Sequence, residues 1–212
     1  MVLKPAAIDP DALGRPKTVP RYGPDKKPKL AGLLIGGNAG PFRYRRAEWA
    51  SLLDFARDVS KTWGTRWLVS TSRRTPDFVA DRVAALAKDA GVVSRFIDYR
   101  TAGPGTLPQV FSEAEVIVST EDSSTMISEA VSERLPVVGV AAPSAHRFTD
   151  EKQEYRDFLI RNNWCRVVPI AALTPDAFAR ALSEIEPLQE NPLDALAAKL
   201  KQRLPQLFAD SD

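Results

Sequence analysis

The sequence predicts an α/β protein that forms a single doubly wound, Rossmann-like domain with about six parallel strands. Two observations lead to this fold class. From residue 30 onward, short apolar runs of strand length alternate with segments whose apolar residues recur at helical spacing. Repeated strand–helix units build a parallel sheet with helices on both faces, because each crossover connection is right-handed and covers one face.

The strands are predicted from the apolar runs. Residues 30–35 form such a run, and the glycines that follow it are typical of the end of a buried parallel strand. The other five predicted strands cover residues 67–69, 92–99, 116–119, 136–140 and 166–168.

The helices are predicted from apolar residues that lie on one helical face. Residues 42–63 form the first helix and residues 77–90 the second. For the second helix we expect Thr75 as the N-cap, Pro76 at the first position and Gly91 as the C-cap. The remaining predicted helices cover residues 109–114, 123–134, 151–162, 174–184 and 192–204.

The composition excludes several other classes of protein. The chain has 212 residues, of which 44% are hydrophobic and 26% are charged, as in an average globular protein. These fractions do not fit a disordered tail, a collagen-like repeat or a disulfide-rich scaffold. The single cysteine, Cys165, cannot form an internal disulfide, and no apolar run approaches the ~18 residues of a membrane span. We therefore expect a cytoplasmic protein with Cys165 as a buried structural thiol.

The first 29 residues are interpreted as a basic, proline-rich arm or linker, followed by one domain over residues 30–212. Residues 1–30 contain seven Lys and Arg against three Asp and Glu, whereas the other residues contain 22 against 24. Six prolines in this segment favour a solvated linker, and the positive charge leaves peripheral contact with an anionic membrane as the alternative. No basic stripe with interleaved aromatic residues follows, so nucleic acid is not an expected partner.

Ligands of doubly wound sheets bind beyond the carboxyl ends of the strands, where the strand order reverses. Three polar loops are predicted at that edge. The first contains Gly36, Gly37 and Asn38, between the first strand and the first helix. Its glycines allow a tight turn and close approach of an anionic ligand to helix N–H groups, although a plain strand-to-helix turn can have the same residues.

The second loop contains Thr71, Ser72 and Arg73 and follows the second strand. Its hydroxyl and guanidinium groups can hold a phosphate or a ribose oxygen. The alternative is that Ser72 or Thr75 caps the second helix and the arginines are solvated.

The third loop contains Glu121, Asp122, Ser123 and Ser124 and opens the helix that includes Glu129. Hydroxyl and N–H groups at a helix N-terminus can donate to a pyrophosphate. Burying the Glu129 carboxylate is costly unless it accepts hydrogen bonds, which vicinal ribose hydroxyls would supply. The alternative makes Ser123 or Ser124 an ordinary N-cap and Glu129 a surface residue.

The sequence STMISEA at residues 124–130, followed by LPVV at residues 135–138, resembles the donor-binding domain of GT-B glycosyltransferases. It is similar to the peptidoglycan N-acetylglucosaminyltransferase in particular. In that class the glutamate of this helix binds the nucleotide ribose, which implies the same role for Glu129. Glu121 and Glu129 also have the E-x7-E spacing of many retaining members. The resemblance further implies that Lys152 contacts the donor diphosphate.

A broader resemblance covers roughly residues 30–170 and points to the bacterial relatives of the plant mitochondrial-fission (elongated-mitochondria) family. It is carried by GGNAGPFRY at residues 36–44, TSRRTP at residues 71–76 and STEDSSTMISEA at residues 119–130. Members look like GT-B proteins and are often labelled nucleoside-diphosphate-sugar epimerases. The resemblance implies the fold of the C-terminal half of a GT-B enzyme, a nucleotide sugar such as a UDP-sugar as substrate, and no cofactor.

The chain departs from the GT-B pattern in length, since two such domains need roughly 300 residues or more. The missing half usually supplies the acceptor site and the catalytic base, so the resemblance implies a second GT-B half as partner, or a homo-oligomer. No catalytic residue is assigned: His146, the single histidine, can do acid–base chemistry, but a lone loop histidine is usually just exposed. No His or Cys cluster has metal-ligand spacing. A non-enzymatic scaffold of the fission-family type and a UDP-sugar 2-epimerase-like enzyme are the alternative functions.

Overall fold

A computed structural model describes residues 3, 4, 6, 8–14, 19–143 and 150–207 of the chain. Six strands form one sheet in the order β3-β2-β1-β4-β5-β6, and every neighbouring pair is parallel. The predicted fold class is therefore confirmed. The strands are β1 Leu30–Ile35, β2 Arg66–Thr71, β3 Val93–Ile97, β4 Val116–Thr120, β5 Val137–Ala141 and β6 Cys165–Pro169.

Eight α-helices in the described ranges connect and follow these strands. Their bounds are α1 Arg46–Trp63, α2 Asp77–Leu86, α3 Tyr99–Ala102, α4 Leu107–Phe111, α5 Ser124–Ser132, α6 Asp150–Arg161, α7 Pro175–Ser183 and α8 Pro192–Arg203. Short 3-10 turns cover Ile170–Ala172 and Pro205–Leu207. Each predicted long helix is present, and α4 begins and ends a few residues before the predicted range.

Helix α2 begins at Asp77 as predicted, but its expected caps and its carboxyl end are wrong. The helix ends at Leu86 with Ala87 as its C-cap, four residues before Gly91. At the other end Pro76 is the N-cap, and no side chain caps the helix. The Thr75 hydroxyl is used elsewhere, because it donates to the backbone oxygens of Ile35 and Gly36 at 2.7 Å each. Thr75 thereby ties the second loop to the end of β1.

The sheet buries both of its faces, and alternate strand residues enter two separate clusters. Leu33 and Ile35 of β1 pack with α1, α2 and α7, whereas Leu34 packs with α4, α5 and α6. This arrangement explains why the inner strands β1, β4 and β5 are apolar without alternation, as parallel strands covered on both sides are. The strand order reverses between β1 and β4, so the crevice for a ligand is expected beyond the carboxyl ends of these two strands.

The described part of the arm packs on the domain. Val19 and Tyr22 are buried, and the backbone N–H of Lys4 donates to the Tyr155 hydroxyl at 3.2 Å. The Arg134 guanidinium, itself 3% exposed, pairs with Asp11 at 2.8 Å. These contacts differ from the solvated-linker interpretation, because apolar residues between the prolines reach the domain surface. In the described ranges the structure contains no helix that is long and apolar enough to cross a membrane.

Candidate functional site

The first and third polar loops are joined by hydrogen bonds at the carboxyl edge of the sheet. The Gly36 N–H donates to the Thr120 hydroxyl oxygen at 2.8 Å, and the Gly37 N–H donates to Asp122 Oδ2 at 3.0 Å. The Thr120 hydroxyl in turn donates to Asp122 Oδ1 at 2.7 Å. Asp122 therefore fixes the loop after β1 against the loop after β4.

Close contact between loops explains the two adjacent glycines. A Cβ at Gly36 would lie 2.1 Å from Asp122 Oδ1, and a Cβ at Gly37 would lie 1.9 Å from the backbone oxygen of Arg74. No side chain fits in either place. Asn38, which follows, accepts a hydrogen bond from the Tyr44 N–H at 2.8 Å through Oδ1. Contact of these three residues with a ligand stays a prediction.

Arg74 of the second loop reaches the same carboxylate. Its Nη2 lies 2.8 Å from Asp122 Oδ2, and the Asp122 side chain is fully buried while that of Arg74 is 38% exposed. Arg73 is exposed and makes no ion pair within the described ranges. The sequence does not indicate which of Arg73 and Arg74 pairs with Asp122, because the path of the turn decides this.

Thr71 and Ser72 also hold the loops in place. The Thr71 hydroxyl oxygen accepts from the Tyr99 N–H at 2.9 Å, which ties the end of β2 to α3. The Ser72 hydroxyl accepts from the Arg74 N–H at 3.2 Å and lies 3.3 Å from the Thr75 hydroxyl. Both hydroxyls are therefore already engaged within the protein, and a ligand role for either stays a prediction.

Helix α5 begins at the reversal of the strand order. Its N-cap is Ser123, whose hydroxyl accepts from the Met126 N–H at 3.4 Å, as the capping alternative predicts. Glu129 is half-buried, and burial raises the pKa of its carboxyl. Within the described ranges its carboxylate makes no hydrogen bond or ion pair. Glu129 is thus a partly desolvated acceptor that no residue in the described part of the chain uses.

A pocket between α5 and α6 brings four of the predicted residues together: Glu121, Asp122, Ser124 and Lys152. Its volume of about 50 Å³ has room for a few water molecules. The rest of the wall is mainly apolar and includes Phe42, Ile127, Leu159, Ile160, Cys165 and Val167. The Cys165 thiol is buried, as predicted, and burial raises its pKa to about 12. His146 lies outside the described residues.

Glu121 is the most perturbed carboxyl in this pocket. Its side chain is 3% exposed, and Oε1 lies 2.9 Å from Nε of Arg156 on α6. Its Oε2 is buried and has no hydrogen-bond partner in the described part of the chain. Burial raises the pKa of Glu121 to about 7, and Arg156 opposes that shift. Sequence reasoning missed Arg156, although its spacing of four from Lys152 places the two cations on one helix face.

Tyr44 connects the backbone of Glu121 to the end of β5 and was also missed. Its hydroxyl donates to the Val140 backbone oxygen at 2.7 Å and accepts from the Glu121 N–H at 3.2 Å. Burial raises the pKa of Tyr44 far above its ordinary value, so the phenol stays protonated. One aromatic side chain thereby fixes the backbone at the end of β4 and β5.

Replacing Tyr44 with phenylalanine tests this connection. We expect the free energy of unfolding to fall by about 0.5–1.5 kcal/mol, because the buried hydrogen bond to the Val140 oxygen is lost while the Glu121 N–H still donates to that oxygen at 3.2 Å. Urea unfolding of both proteins measures the difference. Tyr99→Phe is the matched control, since the Tyr99 hydroxyl makes no hydrogen bond within the described ranges. Equal losses in the two variants would contradict the role of the Tyr44 hydroxyl.

Solved structures with a similar fold include glycosyltransferases. The solution structure of ALG13 aligns with a TM-score of 0.50 at 11% identity, covering 79% of this chain and 94% of that one. The glycotransferase of kitacinnamycin aligns at 0.46 and 12% identity, covering 82% and 40%. WaaG, a glycosyltransferase involved in lipopolysaccharide biosynthesis, aligns at 0.37 and 17% identity, covering 78% and 46%. The chain thus spans less than half the length of the last two.

The likeness to ALG13 shows that the two chains share a fold. A search of curated proteins finds no match. The family model described as "Mitochondrial fission ELM1" matches residues 3–204, which includes the arm and α8 as well as the sheet. The chain belongs to the mitochondrial fission ELM1 family.

Proposed function

We propose that the crevice beyond β1 and β4 binds the nucleoside diphosphate of a nucleotide sugar, such as a UDP-sugar, and that the chain is the donor-binding half of a glycosyltransferase. The observation that carries this proposal is the half-buried Glu129 carboxylate, which has no protein partner in the described part of the chain. Two hydrogen-bond donors held side by side stabilise a carboxylate that is partly withdrawn from water. The vicinal hydroxyls of a ribose supply such a pair.

The amino end of α5 fits the diphosphate that would accompany this ribose. Ser124 and Glu129 are five residues apart on α5, which separates them by about 7.5 Å along the helix axis. The first-turn N–H groups and the helix dipole favour a bound anion there. Two exposed cations can add positive charge near the diphosphate: Arg73, and Lys152 on the other side of the pocket. Stabilisation of the leaving diphosphate would then come from these groups.

A donor site of this kind needs an acceptor site from elsewhere. The chain spans 40% and 46% of two of the glycosyltransferases that it resembles. We propose that a second GT-B half, in a partner chain, supplies the acceptor site and the catalytic base. Glu121, Asp122 and Ser124 would then lie at the boundary between the donor and that partner.

Calorimetric titration with UDP, GDP and CDP tests the proposal. We expect one nucleotide to bind and Glu129→Ala to weaken that binding at least tenfold. The thermal midpoint of the variant should be nearly unchanged, because the Glu129 carboxylate makes no hydrogen bond or ion pair with the described residues. Glu113→Ala is the matched control, because Glu113 is an exposed glutamate paired with Arg95 away from this edge. Unchanged affinity in Glu129→Ala would contradict the assignment.

One observation favours a non-enzymatic scaffold as the second candidate. Both carboxylate oxygens of Asp122 and the hydroxyls of Thr71 and Ser72 are engaged within the protein, and the pocket beside them is small. A scaffold would bind none of the three nucleotides and would retain a protein partner in pull-down. Conversion of a UDP-sugar in the absence of an acceptor would instead indicate a 2-epimerase-like enzyme.

A further inference from the structure

A cluster of cations lies at the amino ends of β1 and β2, away from the polar loops. The segment before β1 meets the end of α1 and the turn that follows it. The Arg66 N–H donates to the Lys29 backbone oxygen at 3.0 Å, and the Thr65 hydroxyl donates to the Pro28 oxygen at 2.6 Å. Five cations belong to these two segments, and we call them the amino-edge patch: Lys26, Lys27, Lys29, Lys61 and Arg66. Lys27 is half-buried and the other four are exposed.

The amino-edge patch has an excess of positive charge. Within the described ranges none of its five cations forms an ion pair. Three carboxylates lie near it: Asp25 and Asp58 are exposed, and Glu115 accepts hydrogen bonds from the N–H groups of Lys29 and Leu30. Five cations against three carboxylates give a net charge of +2, which equals the formal net charge of the whole chain. The excess positive charge of the chain is therefore concentrated at this edge.

Trp63 holds part of the patch in place. Its ring stacks on that of Phe178 with a centroid distance of 5.3 Å, and Lys27 Nζ lies 4.3 Å from the Trp63 centroid. Lys26 Nζ lies 5.4 Å from the centroid of Tyr22, a buried side chain. Attraction between an ammonium group and an aromatic ring stabilises both contacts. The segment before β1 is thus packed against the end of α1, so the two segments present their cations on one surface.

The residue types of the patch indicate an anionic lipid surface as the partner. Four of its five cations are lysines, whose ammonium groups are point charges on flexible stems, whereas fixed recognition of one phosphate or carboxylate favours arginine. Such stems can follow lipid headgroups, which have no fixed positions. Clusters of roughly four to eight Lys and Arg residues bind anionic headgroups in this way. Trp63, which is half-buried at the same edge, has a ring with a polar tip, as is typical of residues at a membrane–water boundary.

We propose that the amino-edge patch binds the chain to a membrane that contains anionic phospholipids. The six-residue strand β1 separates the patch from the crevice by about 20 Å. The crevice lies at the other end of the strands, so it stays open to a ligand while the patch contacts the membrane. Contact of this kind involves the end of α1 and the start of β2 as well as the basic arm. Each cation that reaches an anionic surface strengthens binding by about fivefold.

Flotation of the full chain with lipid vesicles tests the proposal. At about 50 mM salt we expect the chain to bind vesicles of phosphatidylcholine with about 30% phosphatidylserine, and to bind pure phosphatidylcholine vesicles at least tenfold more weakly. Raising the salt to about 500 mM is expected to release the chain, because the Debye length then falls to about 4 Å. A wild-type chain that binds neither kind of vesicle at low salt, or binds both equally, would overturn the proposal.

A triple variant of the patch locates the contact: Lys29→Gln, Lys61→Gln and Arg66→Gln. We expect it to bind the charged vesicles at least tenfold more weakly than wild type. Its thermal midpoint should stay close to that of wild type, because all three side chains are exposed and make no ion pair with the described residues.

The matched control removes the same charge from the other end of the strands: Arg45→Gln, Arg73→Gln and Lys152→Gln. These three side chains are also exposed, and we expect the control to bind the charged vesicles like wild type. A patch variant that binds like wild type, or an equal loss in both triple variants, would refute the assignment of the contact to the amino edge. No nucleotide is present in these experiments, so the proposed function and the membrane contact can fail separately.

Discussion

Replacement of Asp122 by alanine is expected to lower the free energy of unfolding by about 3 kcal/mol. The Asp122 carboxylate is fully buried and accepts from Gly37, Thr120 and Arg74. Without it, a backbone N–H and a hydroxyl lose their acceptor, and a guanidinium loses its counter-charge. Arg74 is 38% exposed and can turn toward water, which keeps the loss below that of a fully buried ion pair.

Urea unfolding of wild type and Asp122→Ala measures this difference, with Asp54→Ala as the matched control. Asp54 also pairs with an arginine, at 2.6 Å, but both side chains of that pair are at least half exposed. Such surface pairs contribute roughly 0–1 kcal/mol. A similar loss in the two variants would show that Asp122 does not join the loops in the way described. The hydrogen bonds of Thr75 and Thr120 would then be what holds the three loops together.

The sequence was sufficient for the fold because the signals of the fold are local. The inner strands β1, β4 and β5 are mainly apolar runs, and α1 has Trp49, Leu52 and Ala56 on the face that the structure buries. The N-cap error at α2 arises where a side chain has two hydrogen-bonding choices. Thr75 is a good helix cap, but two backbone oxygens at the end of β1 compete for its hydroxyl. Nothing in the local sequence ranks these choices.

The site was less predictable because its contacts join distant parts of the chain. Arg74 and Asp122 are 48 residues apart, and Tyr44 and Val140 are 96 apart. The polar loops could be placed at one edge of the sheet from the order of strands and helices alone. Packing decides which side chains hydrogen-bond to one another and which, like Glu129, have no partner among the described residues. The contacts of the arm with Tyr155 and Arg134 could not be predicted from the sequence either, because they depend on the surface that the folded domain presents.

The charge of Glu121 should make the stability of the protein fall as pH rises. Burial raises the pKa of this carboxyl from 4.5 to about 7 in the folded state, whereas the unfolded chain keeps the ordinary value. The folded state therefore holds the proton more tightly, and its stability decreases as pH rises from about 4.5 to 7. A shift of this size corresponds to about 3 kcal/mol in full, of which about 2–3 kcal/mol falls between pH 5 and pH 8.

Glu121→Gln keeps the shape of the side chain and removes its titration. We expect the free energy of unfolding of the variant, relative to wild type, to rise by about 2–3 kcal/mol between pH 5 and pH 8. The ion pair between Arg156 and Glu121 is absent from the variant at every pH, so its loss adds no pH dependence to the variant. Urea unfolding at several pH values measures both proteins, and Glu113→Gln, at an exposed position, is the control. A difference that stays constant with pH would mean that Glu121 remains charged in the folded protein, held by Arg156 despite its burial.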